Sequence, residues 1–414
     1  MNPVTIASAL FETLRHSRIV FERSTRGQPL KSIGAMAVAA AMFCAGGCTA
    51  VRTVVHNFAD LDDYHIFANR TVERASEASR LRALSRVPRF IAEMKVPDEE
   101  GAIRPLDEYL DTTRTAAFVV MRDDRIVYER YSRGFDGRSL LNSFSIAKSI
   151  MATLVGIAVS EGRIASLEAT VAEYRPELAG TPYGAVTLKS LLTMTSAMGD
   201  RPTMLPGRAQ YYYGDDLHQV IEGARPESRP ANGWRYSEAD VQVLGFVLEA
   251  AVGKSVSAYL SEKLWKPLGM ESEALWATDR EGGMEKAFCC ISARARDFAR
   301  FGRLYLEGGR WNGEQILPAT WAARSVLPGI RLPDGYTHQH LWWIPEGTEG
   351  DFYAYGHNGQ YVYVNPKSHT VIVKFSETNH QDPLPMFRAV AAKLKSAEHM
   401  AELDRIETQK VALR

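Results

Sequence analysis

The chain has 414 residues, 45% hydrophobic and 24% charged, with 49 basic against 49 acidic side chains and a formal net charge of zero. That composition supplies a large apolar core. The even charge, with no Lys/Arg block, does not advertise a nucleic-acid partner, and leaves room only for local basic patches.

Residues 1–48 read as a targeting segment. Arg15, Arg18, Arg23, Arg26 and Lys31 outnumber Glu12 and Glu22, and the small apolar run "IGAMAVAAAMFCAGG" follows at 33–47. A basic region, a short apolar stretch and small residues describe an export signal, and fifteen residues fall short of a membrane span. "AGGC" at 45–48 is similar to a bacterial lipoprotein box, with Ala45 where leucine is usual. Cys48 is thus the lipidation candidate, and the protein is expected to be exported, periplasmic or membrane-anchored. An uncleaved anchor, or a true start at Met36, also fits the segment.

Residues 49–100 are polar and weakly periodic, and read as a linker and N-terminal arm. "AAFVVMRDDRIVYERYSRG" at 116–134 predicts a hairpin around Asp123 and Asp124. A helix is expected over 146–161, with Ile150, Leu154 and Ile157 on one stripe. From 165 to 325 the chain is mostly helical, with helices over 187–195, 238–252, 256–265, 293–307 and 318–326. Strands return at 340–345, 360–366 and 370–377, and a last amphipathic helix covers 383–400. The adjacent Cys289 and Cys290 bridge poorly to each other and read as two small half-buried residues. No zinc-like cysteine spacing occurs, and His338 and His340 read as an exposed loop pair. Strands, a helical block, strands and a helix predict an α+β fold. Its sheet is built from both chain ends, flanked by helices, with a mostly helical lobe inserted.

Ser145 and Lys148 lie three residues apart at the start of the 146–161 helix, "SFSIAKS". They share a helix face. Ser145 sits where free N–H groups favour a developing alkoxide. Lys148 sits among apolar neighbours that lower an ammonium's pKa. A capping serine beside a snorkelling lysine fits the same four residues. Two further stretches tip the balance toward chemistry. Tyr236 stands just before the 238–252 helix, where its hydroxyl can reach a cleft. "YGHNGQYVYVNP" at 355–366 runs His357, Asn358 and Gly359 into an alternating strand, where a backbone N–H can hold an oxyanion.

Taken together, these motifs resemble the serine β-lactamase and penicillin-binding superfamily, in its class C-like branch. They correspond to that family's Ser-x-x-Lys, Tyr-x-Asn and Lys-Thr-Gly or His-x-Gly on an edge strand, in the same order. "LLTMTSAMGD" at 191–200 and "ARDFARFGRLYLEGGRWNGEQILP" at 295–318 add to the likeness. The resemblance covers about residues 101–402 and is strongest to 6-aminohexanoate-dimer hydrolases. It implies acyl transfer without metal or cofactor: Ser145 as nucleophile, Lys148 with Tyr236 as the base, and the N–H groups of Ser145 and Gln360 as oxyanion donors. Glu238 replaces the usual asparagine and His357 the usual lysine. Both changes point away from penicillins and toward a small amide or ester. Substrate contacts are expected from His357, Asn358, Gly359, Glu238, Tyr213, Asp215 and Trp343. The alternatives are a D-alanyl-D-alanine carboxypeptidase, a class C-type β-lactamase, or a non-catalytic sensor on the same fold.

Overall fold

The computed structural model describes residues 49, 52–53, 55–56, 58–77, 81–200, 207–228, 232–378 and 381–412; Cys48 and the rest of residues 1–48, where a targeting segment was expected, lie outside them. Among the described residues no single helix is long and apolar enough to cross a membrane. The chain divides into two compact units, residues 1–58 with 201–215, and residues 59–200 with 216–414. The smaller unit contains the helix Gly207–Tyr213, in which Tyr213 packs edge-on against Tyr212.

The larger unit is built on nine strands: β1 (Arg82–Ala83), β2 (Thr115–Arg122), β3 (Arg125–Tyr131), β4 (Ile330–Arg331), β5 (Thr337–Gln339), β6 (Trp342–Ile344), β7 (Phe352–Gly356), β8 (Gln360–Asn365) and β9 (Thr370–Ser376). Their order across the sheet is β4-β5-β6-β7-β8-β9-β2-β3-β1. Only the β1–β3 pair is parallel. The sheet therefore joins strands from both ends of the chain. In β2 and β9 nearly every residue is buried, which is why both read as continuous apolar runs rather than alternating ones. Val373 pairs with Val119 on one side and Val362 on the other.

Four helices matter for the site: α1 (Ile146–Ser160), α2 (Glu238–Val252), α3 (Ala295–Leu306) and α4 (Leu384–Lys393). One sheet face takes α3. Gly302 lets it approach closely, since an added Cβ would lie 2.9 Å from Val362 Cγ1. The opposite face takes α4, whose Phe387 packs on Tyr361 and Tyr363 at ring distances of 5.4 and 5.0 Å. Burying these rings removes large apolar areas from water, the main favourable term in the fold.

Three local expectations differ from the structure. The segment read as linker and arm contributes β1 and the strand Asn69–Val72. That strand opens a second, four-stranded sheet with Ala274–Ala277, Ile291–Ala293 and Leu141–Asn142. The last helix breaks in two: one piece ends at Lys393, and a second runs from Ala397, its first bond running from Met400 N to the Ser396 carbonyl oxygen at 3.0 Å. His338 and His340, expected in an exposed loop, are 1% and 2% exposed. Strand pairing in β5 and packing against Trp234, Trp321 and Trp343 bury them.

Candidate active site

Ser145 is the only residue between 141 and 158 that is not buried. A turn anchored to the four-stranded sheet presents it. Ser143 exchanges backbone and side-chain hydrogen bonds with Ile291, and Asn142 Oδ1 accepts from Phe144 N at 3.0 Å. Those bonds hold Phe144 at a φ of +43°, a conformation that non-glycine residues rarely adopt. Ser145 follows at once and opens α1.

Lys148 lies one turn on and is 2% exposed. Its Nζ donates to Ser145 Oγ at 2.9 Å and to the Phe288 carbonyl oxygen at 2.8 Å. The same nitrogen lies 4.8 Å from the centroid of the Tyr236 ring. A snorkelling lysine would carry its amine to water; this one keeps it inside, against the serine. The three residues expected to carry chemistry therefore converge.

Sequence reasoning missed what holds Lys148 in place. Phe288 offers only a carbonyl, which no side-chain pattern reveals. Its loop is fixed by Trp276 Nε1, which donates to the carbonyls of Lys286 and Cys289 at 3.1 and 3.0 Å. Gln242 clamps it from α2: Nε2 donates to Glu285 O at 3.1 Å and Oε1 accepts from Ala287 N at 3.0 Å. Tyr236 immediately precedes α2, so one helix fixes both the tyrosine and the acceptor of Lys148. Cys289 and Cys290, read as two small unbridged residues, are buried and bonded to each other. The turn, with Cys290 at a φ of +72°, brings their side chains together.

The His-Asn-Gly run is placed differently from expectation. It forms the loop between β7 and β8, with Asn358 and Gly359 at φ of +60° and +81°. Asn-Gly favours exactly such turns, so that signal was in the sequence. β7 lies between β6 and β8 and is not an edge strand. Gln360, expected as an oxyanion donor, pairs with Gly356 across the hairpin. Its buried side chain donates to His357 O and Ser376 O, both at 2.8 Å, and accepts from Ser376 N at 2.9 Å. It braces the hairpin. The backbone beside the serine belongs to Gly356, where an added Cβ would collide with Ser143 O and lie 3.2 Å from Ser145 N. His357 follows Gly356, and its ring meets Phe144 edge-on at 5.8 Å. Asn358 Nδ2 donates to Ala59 O at 2.9 Å.

Among the other expected contacts, Trp343 stacks on Tyr236 at 6.2 Å. Glu238 is half-buried in the first turn of α2, where a carboxylate suits the helix N-terminus. Tyr213 and Asp215 belong to the smaller unit, where the Tyr213 hydroxyl donates to His56 O at 3.4 Å. His338 is held neutral: burial, the largest cause, lowers its pKa to about 3. No group of three or more metal-ligating side chains occurs among the described residues.

Residues 104–395 match the family described as Beta-lactamase. The chain is 29% identical over 299 residues to a 6-aminohexanoate-dimer hydrolase of Paenarthrobacter ureafaciens, covering 66% of this chain and 74% of that one. It is 32% identical over 182 residues to the esterase EstB of Burkholderia gladioli, covering 37% and 45%. A Bacillus anthracis structure carrying the provisional name 6-aminohexanoate-dimer hydrolase superposes with a TM-score of 0.70 at 26% identity, covering 89% of this chain and 96% of that one. A class C β-lactamase of Rhodobacter sphaeroides shares the fold, with a TM-score of 0.52 at 18% identity, over 72% and 97%. With the family match spanning most of the chain, this protein is a hydrolase of the β-lactamase family.

Proposed function

We propose that the protein cleaves a small amide or ester through an acyl-enzyme on Ser145. The observation that carries this reading is the buried Lys148 amine, hydrogen-bonded at once to Ser145 Oγ and to a main-chain carbonyl. Burial favours the neutral amine, which then serves as base. Ser145 Oγ attacks the substrate carbonyl as its proton moves to the Lys148–Tyr236 pair. Tyr236 hands a proton to the leaving amine or alcohol as the scissile bond breaks. Water then attacks the acyl-serine, gives its proton back through the same pair, and releases the acid. The N–H of Ser145 and the N–H of His357, which follows Gly356, are the proposed oxyanion donors. Residues 356–359 contain no lysine. A substrate carboxylate would find no permanent cation there, which favours amides and esters over penicillins.

The test is a panel of p-nitrophenyl esters, 6-aminohexanoate dimer and nitrocefin, with fluorophosphonate labelling. Wild type is expected to turn over an ester or the dimer and to be labelled. Ser145→Ala should lose both. Activity that survives in Ser145→Ala refutes the assignment.

A further inference from the structure

Cys289 and Cys290 are joined by a disulfide although they are neighbours in the chain. The bridge closes a small ring that contains the peptide bond between them. That ring includes the Cα–C bond of Cys289 and the N–Cα bond of Cys290, so it restrains the two soft torsions that flank the peptide. Cys290 stands at a φ of +72°, where a residue with a side chain is rarely found, and the ring opposes its relaxation.

The bridged peptide lies between two sets of contacts that the proposed chemistry needs. On one side, the Phe288 carbonyl oxygen accepts from Lys148 Nζ at 2.8 Å. On the other, Cys290 N donates to Phe144 O at 3.2 Å, Ser143 N donates to Ile291 O at 2.9 Å, and Ile291 N donates to Ser143 Oγ at 3.1 Å. These last bonds brace the turn that presents Ser145, in which Phe144 holds a φ of +43°. Ala277 N, donating to Cys290 O at 3.1 Å, and Trp276 Nε1, donating to Cys289 O at 3.0 Å, tie the pair to the strand Ala274–Ala277. Base and nucleophile are thus anchored to one short run, Phe288 to Ile291. Two of the torsions between their anchors are those that the ring restrains. A neutral amine has a single lone pair. With one N–H committed to Phe288 O, the amine is held so that its lone pair can face the Ser145 hydroxyl proton.

We propose that the Cys289–Cys290 disulfide is a positioning element of the hydrolase: it fixes the Phe288 carbonyl relative to the Phe144 turn, so that Lys148 serves Ser145, and reducing it lowers turnover. This rests on the hydrolase reading and adds a redox-dependent part to it. Reduction by a dithiol breaks the S–S bond. Two electrons and two protons pass to the cysteines, which become thiols, while the dithiol closes to its own disulfide. Both cysteines are buried, so a reductant reaches them through local opening of the segment. Once the ring is open, the peptide regains its torsions, and the anchors of Lys148 and Ser145 no longer move as one.

Cys289→Ala, Cys290→Ala and the double variant test this with a p-nitrophenyl ester. Each single change breaks the bridge. Each should therefore lower kcat by about tenfold with KM little changed, and the double variant should lose no more than either single one. An unchanged kcat, or losses that multiply in the double variant, overturns the proposal. Reducing wild type with dithiothreitol should reproduce the loss, and reoxidation should restore turnover, which covers a variant that fails to fold. Full turnover after complete reduction overturns it. Two measurements need no turnover and so separate this from failure of the hydrolase reading. The tryptic peptide 287–294 of wild type, denatured with N-ethylmaleimide and no reductant, should carry no label; a doubly labelled peptide overturns the bridge. Hydrogen exchange in reduced wild type should quicken over 141–148 as well as over 286–291, since Ser143 N donates to Ile291 O. Exchange unchanged over 141–148 overturns the coupling. Faster exchange there, in a protein that cleaves no ester, supports the bridge and faults the hydrolase reading.

Discussion

Lys374 sits in β9 between Tyr361 and Phe118, fully enclosed, with no carboxylate beside it among the described residues. Its amine donates to Ser376 Oγ. Burial alone lowers its pKa from 10.5 to about 7. An amine in an unfolded chain stays charged up to about pH 10.4. Between those two values the unfolded chain binds the extra proton, so stability rises with pH across that window. Below pH 7 the fold must house an ammonium. At about 1.4 kcal/mol per pH unit, the penalty has a ceiling near ~5 kcal/mol. Lys374→Met removes the charge and keeps roughly the volume. It also removes the bond to Ser376, worth about 1 kcal/mol, although Ser376 Oγ keeps Thr115 Oγ1 at 3.3 Å. The expected net gain is about 1–4 kcal/mol at pH 6, shrinking above pH 7 and absent near pH 10.5. Urea unfolding of both proteins at pH 6, 8 and 10 measures it. A gain of the same size at all three values, or a loss at pH 6, would refute the reasoning.

Gly356→Ala should lower kcat/KM by about 100-fold or more, because the new methyl strikes Ser143 O and displaces Ser145. Steady-state kinetics together with a near-native circular dichroism spectrum would confirm that reading, and near-wild-type kinetics would contradict it. The buried neutral His338 has a folded pKa of about 3 against 6.5 when free. Unfolding therefore takes up a proton between those values, and stability falls as pH drops through the window. Melting temperatures from pH 7 to 4.5 should decline less steeply in His338→Phe than in wild type; equal slopes would exclude His338 as a contributor.

Much of the larger unit can be read from the chain because its elements carry strong local signals. The continuous apolar runs of β2 and β9 fit strands buried on both faces, and α2 runs over the predicted 238–252. Ser145 and Lys148 could be picked out because a helix fixes their relation regardless of the rest of the fold. What escaped notice depends on tertiary context. The carbonyl of Phe288 bears no side-chain signature, and the clamp from Gln242 spans 43 and 45 residues of sequence. β7 went unread because only its pairing with β6 and β8 makes it a strand; that pairing sets Gln360 opposite Gly356 and underlies the proposal of His357 N–H in place of Gln360 as oxyanion donor. The burial of His338 likewise comes from neighbours distant in sequence, among them Trp234.

The order of strands in the large sheet has a consequence for synthesis. β9 lies between β8 and β2, yet among the nine strands it is the last to leave the ribosome. Until residues 370–376 emerge, β2 and β8 have no common partner, and the hairpin that brings Gly356 to Ser145 lacks its support. A nascent chain thus carries the proposed nucleophile for more than 200 residues before the proposed oxyanion wall can close around it. Arrested translation products that end before β9 should display an intact α1 sequence and no turnover, so the hydrolase becomes active only when its final strand is threaded into place.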